Sequence, residues 1–436
     1  MLPTNSFIKL TRSPIPMYIW FMLYSKGKNL THPFSMTMRN SLYLCIFVLL
    51  VFASCGSEPI ARLEITVPQQ NRLQTPITFQ VDGEMDPRMG YYLLDKNTGE
   101  KSPIEIQSDG SLFALLPRLA EGKNTFELLA GAVAPTQAIE LNQTDQGVEF
   151  TSGSKPIFFY QAETAYPAEG LPDYYKRSGM IHPLYSPGGQ VLTDDFPAGH
   201  VHQHAIFNAW VNTLFKGEKV DFWNQHQGTG TVEHVDILDT DQGLLTATLR
   251  TKLSHISLKH GEVLEEEWKI RAYPTEGYYM FDLYSEQVNT SQDTLFIVEY
   301  HYGGMGIRGS REWNIVDSVH YTNDWKILTS EGKTNEDANH TKASWVSAHG
   351  VVAGEKAGVT VFGFPDNFRY PQIVRVHPTM PYWVYSPMFE GEFFIAPGEK
   401  FYNKVRYYVH QGEPDKDVLA SIQADLTHPV QVTVIP

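Results

Sequence analysis

Apolar and polar residues alternate along most of this chain. Leu63, Ile65 and Val67 fall on one side of an extended segment that ends at the turn Pro68-Gln69-Gln70-Asn71, and Ile77, Phe79 and Val81 repeat the pattern up to Asp82-Gly83. A period of two is the mark of a strand with one buried face. Further short strands are predicted at Tyr91–Leu94, Ile104–Ile106, Leu112–Leu116 and Phe126–Leu128, with Asn97-Thr98-Gly99 and Asp109-Gly110 as hairpin turns. Strands at this spacing predict a small β-sandwich over residues 62–145, an accessory or binding module.

Polar, turn-rich sequence at 142–147 and 152–156 marks a boundary. Strand signals then recur from 155 to 436, at Ile157–Tyr160, Thr246–Leu249, Glu265–Arg271, Tyr278–Tyr284, Thr294–Tyr300, Val359–Phe364, Val384–Tyr385 and Lys404–Val409. One helix is predicted at Asp417–Leu426, with Val418, Leu419, Ile422 and Leu426 on its apolar face. The fold class is therefore all-β: a small N-terminal sandwich, then a large two-sheet sandwich with a short C-terminal helix.

The one long apolar run, between Ser41 and Ala53, is too short to span a bilayer comfortably. With Arg39 before it and no acidic residue ahead of Glu58, it reads as a secretory signal over residues 1–55. Met36 or Met38 makes a better start than Met1, since Met38-Arg39 supplies an n-region. Ala53-Ser54-Cys55 resembles a bacterial lipobox, which implies cleavage before Cys55, lipidation of its thiol, and a lipid-anchored protein on the periplasmic or outer-membrane surface.

Composition is globular, and a net charge of −15 disfavours nucleic acid as a partner. Removing residues 1–54 leaves 29 basic against 49 acidic residues, a charge of −20. The chain has two cysteines, one inside the signal and the other at the lipidation site, so neither a disulfide framework nor a cysteine nucleophile is expected.

All 15 histidines after the signal lie beyond residue 155, so candidate chemistry falls in the large domain. His200, His202 and His204 follow Asp194-Asp195; as a strand they would share one face, and they would hold a divalent metal if one is present. Imidazole also moves protons near neutral pH. Asp221-Phe222-Trp223-Asn224-Gln225-His226 offers an indole and amides to a sugar. In Glu299-Tyr300-His301-Tyr302-Gly303-Gly304-Met305-Gly306-Ile307-Arg308, Glu299 and His301 would share a strand face as a carboxylate–imidazole pair, with Arg308 as an anion fork. Phe364–Pro371, Arg375, His377 and Tyr382 read as a rigid loop around a pocket.

The stretch Tyr175–Gly189, continuing through Val191–Pro197, resembles the PmoA-like family, and so do His200–His204, Asp221–Trp223 and Gly303–Arg308. That family carries the name methane oxygenase. The name implies a copper-dependent, membrane-embedded subunit, which needs several apolar spans of about 20 residues; no such run follows residue 55. The resemblance instead implies a glycan-associated lipoprotein of Bacteroidota type with a galactose-mutarotase-like supersandwich.

The expected function is to act on or bind carbohydrate. In an enzyme, His202, His204 and His301 would do acid/base work, Glu299 would orient or act as base, and Arg308 would hold an anionic or hydroxyl group. Trp223, Asn367, Arg369, His377 and Tyr382 would shape the sugar subsite. The alternative is a non-catalytic glycan-binding protein. Convergence of His202, His204, Glu299 and His301 in one cleft favours catalysis, whereas their scatter on the outer sheet face beside a flat platform of Trp223 and Tyr382 favours binding.

Overall fold

A computed structural model describes residues 58–435. The signal segment and Cys55 lie outside the described residues.

The alternation near the N-terminus becomes the strand Ala61–Val67, whose Leu63 and Ile65 are fully buried. This strand pairs with Gly122–Ala130, which continues to Tyr91–Asp95 and Lys101–Pro103. A three-stranded sheet, Arg72–Phe79, Leu112–Leu119 and Glu105–Ile106, contributes Ile77, Leu112 and Leu116 to the same core. The outer partner of Ala61–Val67 is the last strand of the chain, Gln431–Ile435, running antiparallel with Arg62 opposite Ile435. The C-terminal residues thus return to the small sandwich, although the sequence groups them with the large one. An otherwise unpaired edge strand there gains a full ladder.

The large domain has two main sheets sharing one core. Eight long antiparallel strands run from Gly230–Gln242 at one edge to Trp325–Thr329 at the other. The other sheet has nine shorter strands, beginning at Ile139–Gln143 and including Met180–Leu184, Ile206–Ala209, Gly304–Arg308, Tyr382–Tyr385 and Ile373–Val376. Phe158, Phe207, Trp268 and Phe281 are fully buried between them. A four-stranded sheet, Glu218–Val220, Thr213–Phe215, Leu295–Ile297 and Phe393–Ile395, flanks the pair. The architecture is all-β with stacked sandwiches.

The predicted C-terminal helix spans Lys416–Thr427. Its cap is Asp415, two residues before Asp417; the Asp415 carboxylate accepts the Asp417 and Val418 N–H groups. The helix buries Val418, Leu419 and Ile422 with Phe113 of the small sandwich and Leu245, Met280 and Tyr408 of the large one. Arg72 pairs with Asp425 on this helix at 3.2 Å, and Leu73 N–H donates to Ser421 Oγ. Among the described residues, no helix is long and apolar enough to cross a membrane.

Candidate functional site

Four segments meet beside the nine-stranded sheet and line an open polar cavity of about 380 Å³. They carry His200 to Gln203, Asp221 to Gln227, Tyr300 to Tyr302, and Arg375 to Tyr382.

The first loop is not a strand, contrary to the period-two expectation. His200 N–H bonds the Pro197 carbonyl and Gln203 N–H bonds the His200 carbonyl, so the chain turns tightly around Gly199, which has φ +82°. His200 and His202 therefore project into the cavity, with ring centroids 5.5 Å apart. His202 lies 5.3 Å from His226, and His200 lies 5.7 Å from His377. His301 enters from the third loop between Tyr300 and Tyr302, at 4.2 and 4.7 Å. Five imidazoles thus line one cavity.

His204 does not join them. It is fully buried, its Nδ1 facing Asp195 Oδ1 at 2.7 Å and its Nε2 facing Gln225 Oε1 at 2.9 Å. Gln225 Nε2 donates to the Lys176 carbonyl, which turns the amide oxygen toward His204. Both ring nitrogens are engaged by buried side chains, so neither is turned toward the cavity where a metal could be shared with His200 and His202. The set His200, His202 and His204 is therefore not a metal site. Among the described residues, no three His, Cys, Asp or Glu side chains are grouped so as to hold one. His204 instead pins the first loop to the second.

Glu299 is also displaced. The predicted strand Thr294–Tyr300 ends at Ile297, and Glu299 is exposed on the following loop, outside the cavity. No Glu299–His301 pair forms through a shared strand face, because neither residue is in a strand. Arg308 is fully buried behind the cavity: Nη1 donates to Gln203 Oε1 at 2.9 Å, while Nε and Nη2 find no acceptor.

Trp223 is no stacking platform. Gly306 lacks a side chain where a Cβ would lie 2.8 Å from Trp223, so the indole packs directly on the strand Gly304–Arg308 and is fully buried. There it supports the rings of Tyr302 and Tyr382 edge-on, at 5.6 and 5.8 Å. Gly306→Ala is expected to cost about 1–3 kcal/mol, because the indole has no space to retreat into; urea unfolding of the variant measures it.

Asn367 and Arg369 do not reach the cavity. Asn367 bonds the Lys404 backbone twice, and Arg369 donates to the carbonyls of Pro387 and Gly391. Both knit loops together. His377 and Tyr382 are at the cavity, as the sequence suggests. Tyr382 is buried there with its hydroxyl unpartnered.

His226, Asn224 and Tyr302 also line the cavity. The signal for the first two lies in Asp221–His226, where the amide and the imidazole, rather than the indole, face the cavity. Asp221 accepts the Trp223 and Asn224 N–H groups and the Asn224 side-chain amide, so it shapes this loop.

Burial sets the charge of the cavity. It pushes His202 down to about 3, helped by His200 and His226, and His377 down to about 4, helped by Arg375 and His200. Burial also lowers His200 and His301, aided by Arg308 and Arg375 respectively. These imidazoles are neutral at pH 7. The phenols stay protonated: burial raises Tyr302 to about 12 and Tyr382 well above its ordinary value.

The same shifts fix the acid behaviour of the fold. His202, His377, His349 and His410 all titrate near 3–4 when folded, below the ordinary 6.5. Between those limits the unfolded chain binds more protons, so stability falls as pH drops from about 6.5 toward 4. Asp194 and Asp425, raised by burial to about 6, act in the opposite sense but are fewer. The denaturation midpoint is expected to be lower at pH 5 than at pH 7.5, and a midpoint that rises at pH 5 would contradict this.

Fold and site together define a β-sandwich protein with a histidine-lined polar cavity in its large domain. The chain belongs to the family of unknown function DUF6807, whose sequence profile matches residues 147–424. That span includes all four cavity segments and the whole of Tyr175–Pro197. No curated protein sequence matches the chain.

Among solved structures, it is similar to an alpha-mannosidase from Enterococcus faecalis V583, at 10% identity and a TM-score of 0.41, covering 91% of this chain and 48% of that one. It is also similar to the heparan sulfate lyase HepC from Pedobacter heparinus, at 9% identity and a TM-score of 0.32, covering 65% and 36%. A GH36 alpha-galactosidase AgaA from Geobacillus stearothermophilus matches at 14% identity and a TM-score of 0.31, covering 64% and 40%. The chain spans about half the length of the mannosidase.

Proposed function

We propose that the cavity binds carbohydrate and moves protons on it, as a lyase or epimerase does. The observation that carries this reading is the convergence of His200, His202, His226, His301 and His377 beside the unpartnered Tyr382 hydroxyl. Imidazoles accept protons, and phenols that stay protonated donate them. A glycosidase of the usual kind requires two free carboxyl groups flanking the bond. Among the described residues, Asp221 is the one acid lining the cavity, and its oxygens are engaged by its own loop. Hydrolysis by a carboxylate pair is therefore disfavoured.

The test is a turnover screen of the purified chain from Cys55 onward against plant, algal and animal oligosaccharides. Products are followed by chromatography, and C–H exchange by NMR in deuterated water. Turnover or exchange that His202→Ala abolishes supports the reading. Binding without either would make the protein a glycan-binding module instead.

We also propose that the protein is held in the cell envelope by lipid on Cys55, a reading supported by the lipobox-like Ala53-Ser54-Cys55. Metabolic labelling with a fatty acid should mark the protein, and Cys55→Ser should abolish the label; an unchanged label would refute the anchor.

A further inference from the structure

We propose that the sugar taken by this cavity carries a carboxylate, as a uronic-acid unit, held side-on by Arg375; this rests on the carbohydrate reading above and names its substrate class. Arg375 stands on the strand Ile373–Val376 at the cavity wall. Its Nη1 is engaged by the protein, donating to Asn339 Oδ1 at 3.0 Å and to the Val376 carbonyl at 2.7 Å. Its Nε is buried without an acceptor, and Nη2 donates to no described residue. Nε and Nη2 make up the edge of a guanidinium that takes a carboxylate through two parallel bonds. The bonds at Nη1 fix the plane of the fork before any ligand arrives, so little freedom is lost on binding.

The surroundings hold two further cations, each near an acid of its own: Asp194 acts on Arg308 and Asp221 on Lys219. Lys219 also lines the cavity, and Arg308 lies buried behind Gln203 with two nitrogens lacking acceptors. Asp221 is already bonded within its own loop, and Glu299 points elsewhere. His200 Nδ1 and the Tyr382 hydroxyl are buried and unpartnered beside this charge. His377 Nδ1 accepts the Thr379 N–H at 3.3 Å, so in the neutral ring Nε2 carries the hydrogen and can donate. The cavity therefore offers the free edge of Arg375 with unpartnered donors beside it, an arrangement that a carboxylate satisfies.

A carboxylate also makes the proton chemistry feasible. With its charge held by Arg375, the hydrogen on the adjacent carbon becomes acidic enough for an imidazole to remove. The electron pair then rests on the carboxylate oxygens. It either expels the β-oxygen, which takes a proton from an acid such as Tyr382 and leaves a C=C bond, or recaptures a proton on the opposite face. Neither route needs an oxidant or a reductant.

The experiment is isothermal titration of the purified chain from Cys55 onward. The probes are galacturonate, glucuronate, mannuronate and guluronate oligomers, each beside the same oligomer with its carboxyls reduced to alcohols. At least one acidic oligomer is expected to bind roughly tenfold or more tightly than its reduced partner. Arg375→Lys, checked for folding by its unfolding midpoint, should erase that preference, because an ammonium cannot reproduce the side-on fork. Equal binding of acidic and reduced forms, or binding of reduced forms alone, overturns this inference and leaves the carbohydrate reading standing. A folded Arg375→Lys that keeps the preference overturns the role of Arg375. If no oligomer of either kind binds, both readings fall. The comparison of acidic and reduced probes on the unaltered protein decides the substrate class even if the variant does not fold.

Discussion

Asp282→Ala is expected to destabilise the protein by about 3–5 kcal/mol, the cost of stranding a buried charge. Asp282 is fully buried and sits directly opposite Arg406 in the ladder between Tyr279–Asn289 and Lys400–Gln411. The two carboxylate oxygens accept from Arg406 Nε at 2.7 Å and Nη2 at 2.8 Å, while the Tyr273 and Tyr284 hydroxyls donate to the same carboxylate. Asp282 and its neighbouring phenols hold the guanidinium well above its ordinary pKa, outweighing its burial. Removing Asp282 therefore leaves a cation that cannot shed its proton and two phenols without an acceptor. The double variant Asp282→Leu with Arg406→Met should recover much of the loss, since neither charge then remains buried. Urea unfolding of the three proteins separates these terms. A single variant within about 1 kcal/mol of the wild type would mean that water reaches Arg406 and screens it as it would a surface pair.

The second large effect is expected at the cavity. On the carbohydrate that the turnover screen identifies, His202→Ala and His377→Ala should each lower kcat by about 10²–10⁴, the usual contribution of one acid or base. Glu299→Ala and Asn367→Ala should leave kcat within a few-fold, because the first is exposed outside the cavity and the second holds the Lys404 backbone. Steady-state kinetics with matched unfolding curves tests both sets. Loss of activity in Glu299→Ala at unchanged stability would restore Glu299 as a catalytic group and remove the argument against a carboxylate mechanism.

The contrast between Glu299 and His377 shows how much of the site was legible. Both lie in segments singled out for polar residues among aromatics and glycines, and both were plausible from composition. The strand expected to carry Glu299 stops at Ile297, so the period-two argument no longer applies to it. His377 needed no such argument, since it sits at the start of the turn that leads into Tyr382–Tyr385. The histidine stretch at 200–204 failed for a related reason. Alternating histidines imply a shared face only in an extended chain, and Gly199 begins a turn instead. In the sequence Asn367 and Arg369 resemble ligand groups, because polar residues beside proline and aromatic rings look alike whether they bond a sugar or a backbone carbonyl.

The sequence by itself determined the all-β class, the small sandwich near the N-terminus and the capped helix near the C-terminus. Each follows from a local rule, namely side-chain alternation, turn chemistry or helical spacing, that acts within about ten residues. Tertiary structure alone decided that the last strand pairs with the first, that Trp223 is buried support rather than platform, and that His226 and His377 join His200 and His202. Those choices depend on which segments the two large sheets bring to one cavity. No periodicity encodes the meeting of residues 200, 226, 301 and 377, because the contacts that hold them cross more chain than any local pattern spans.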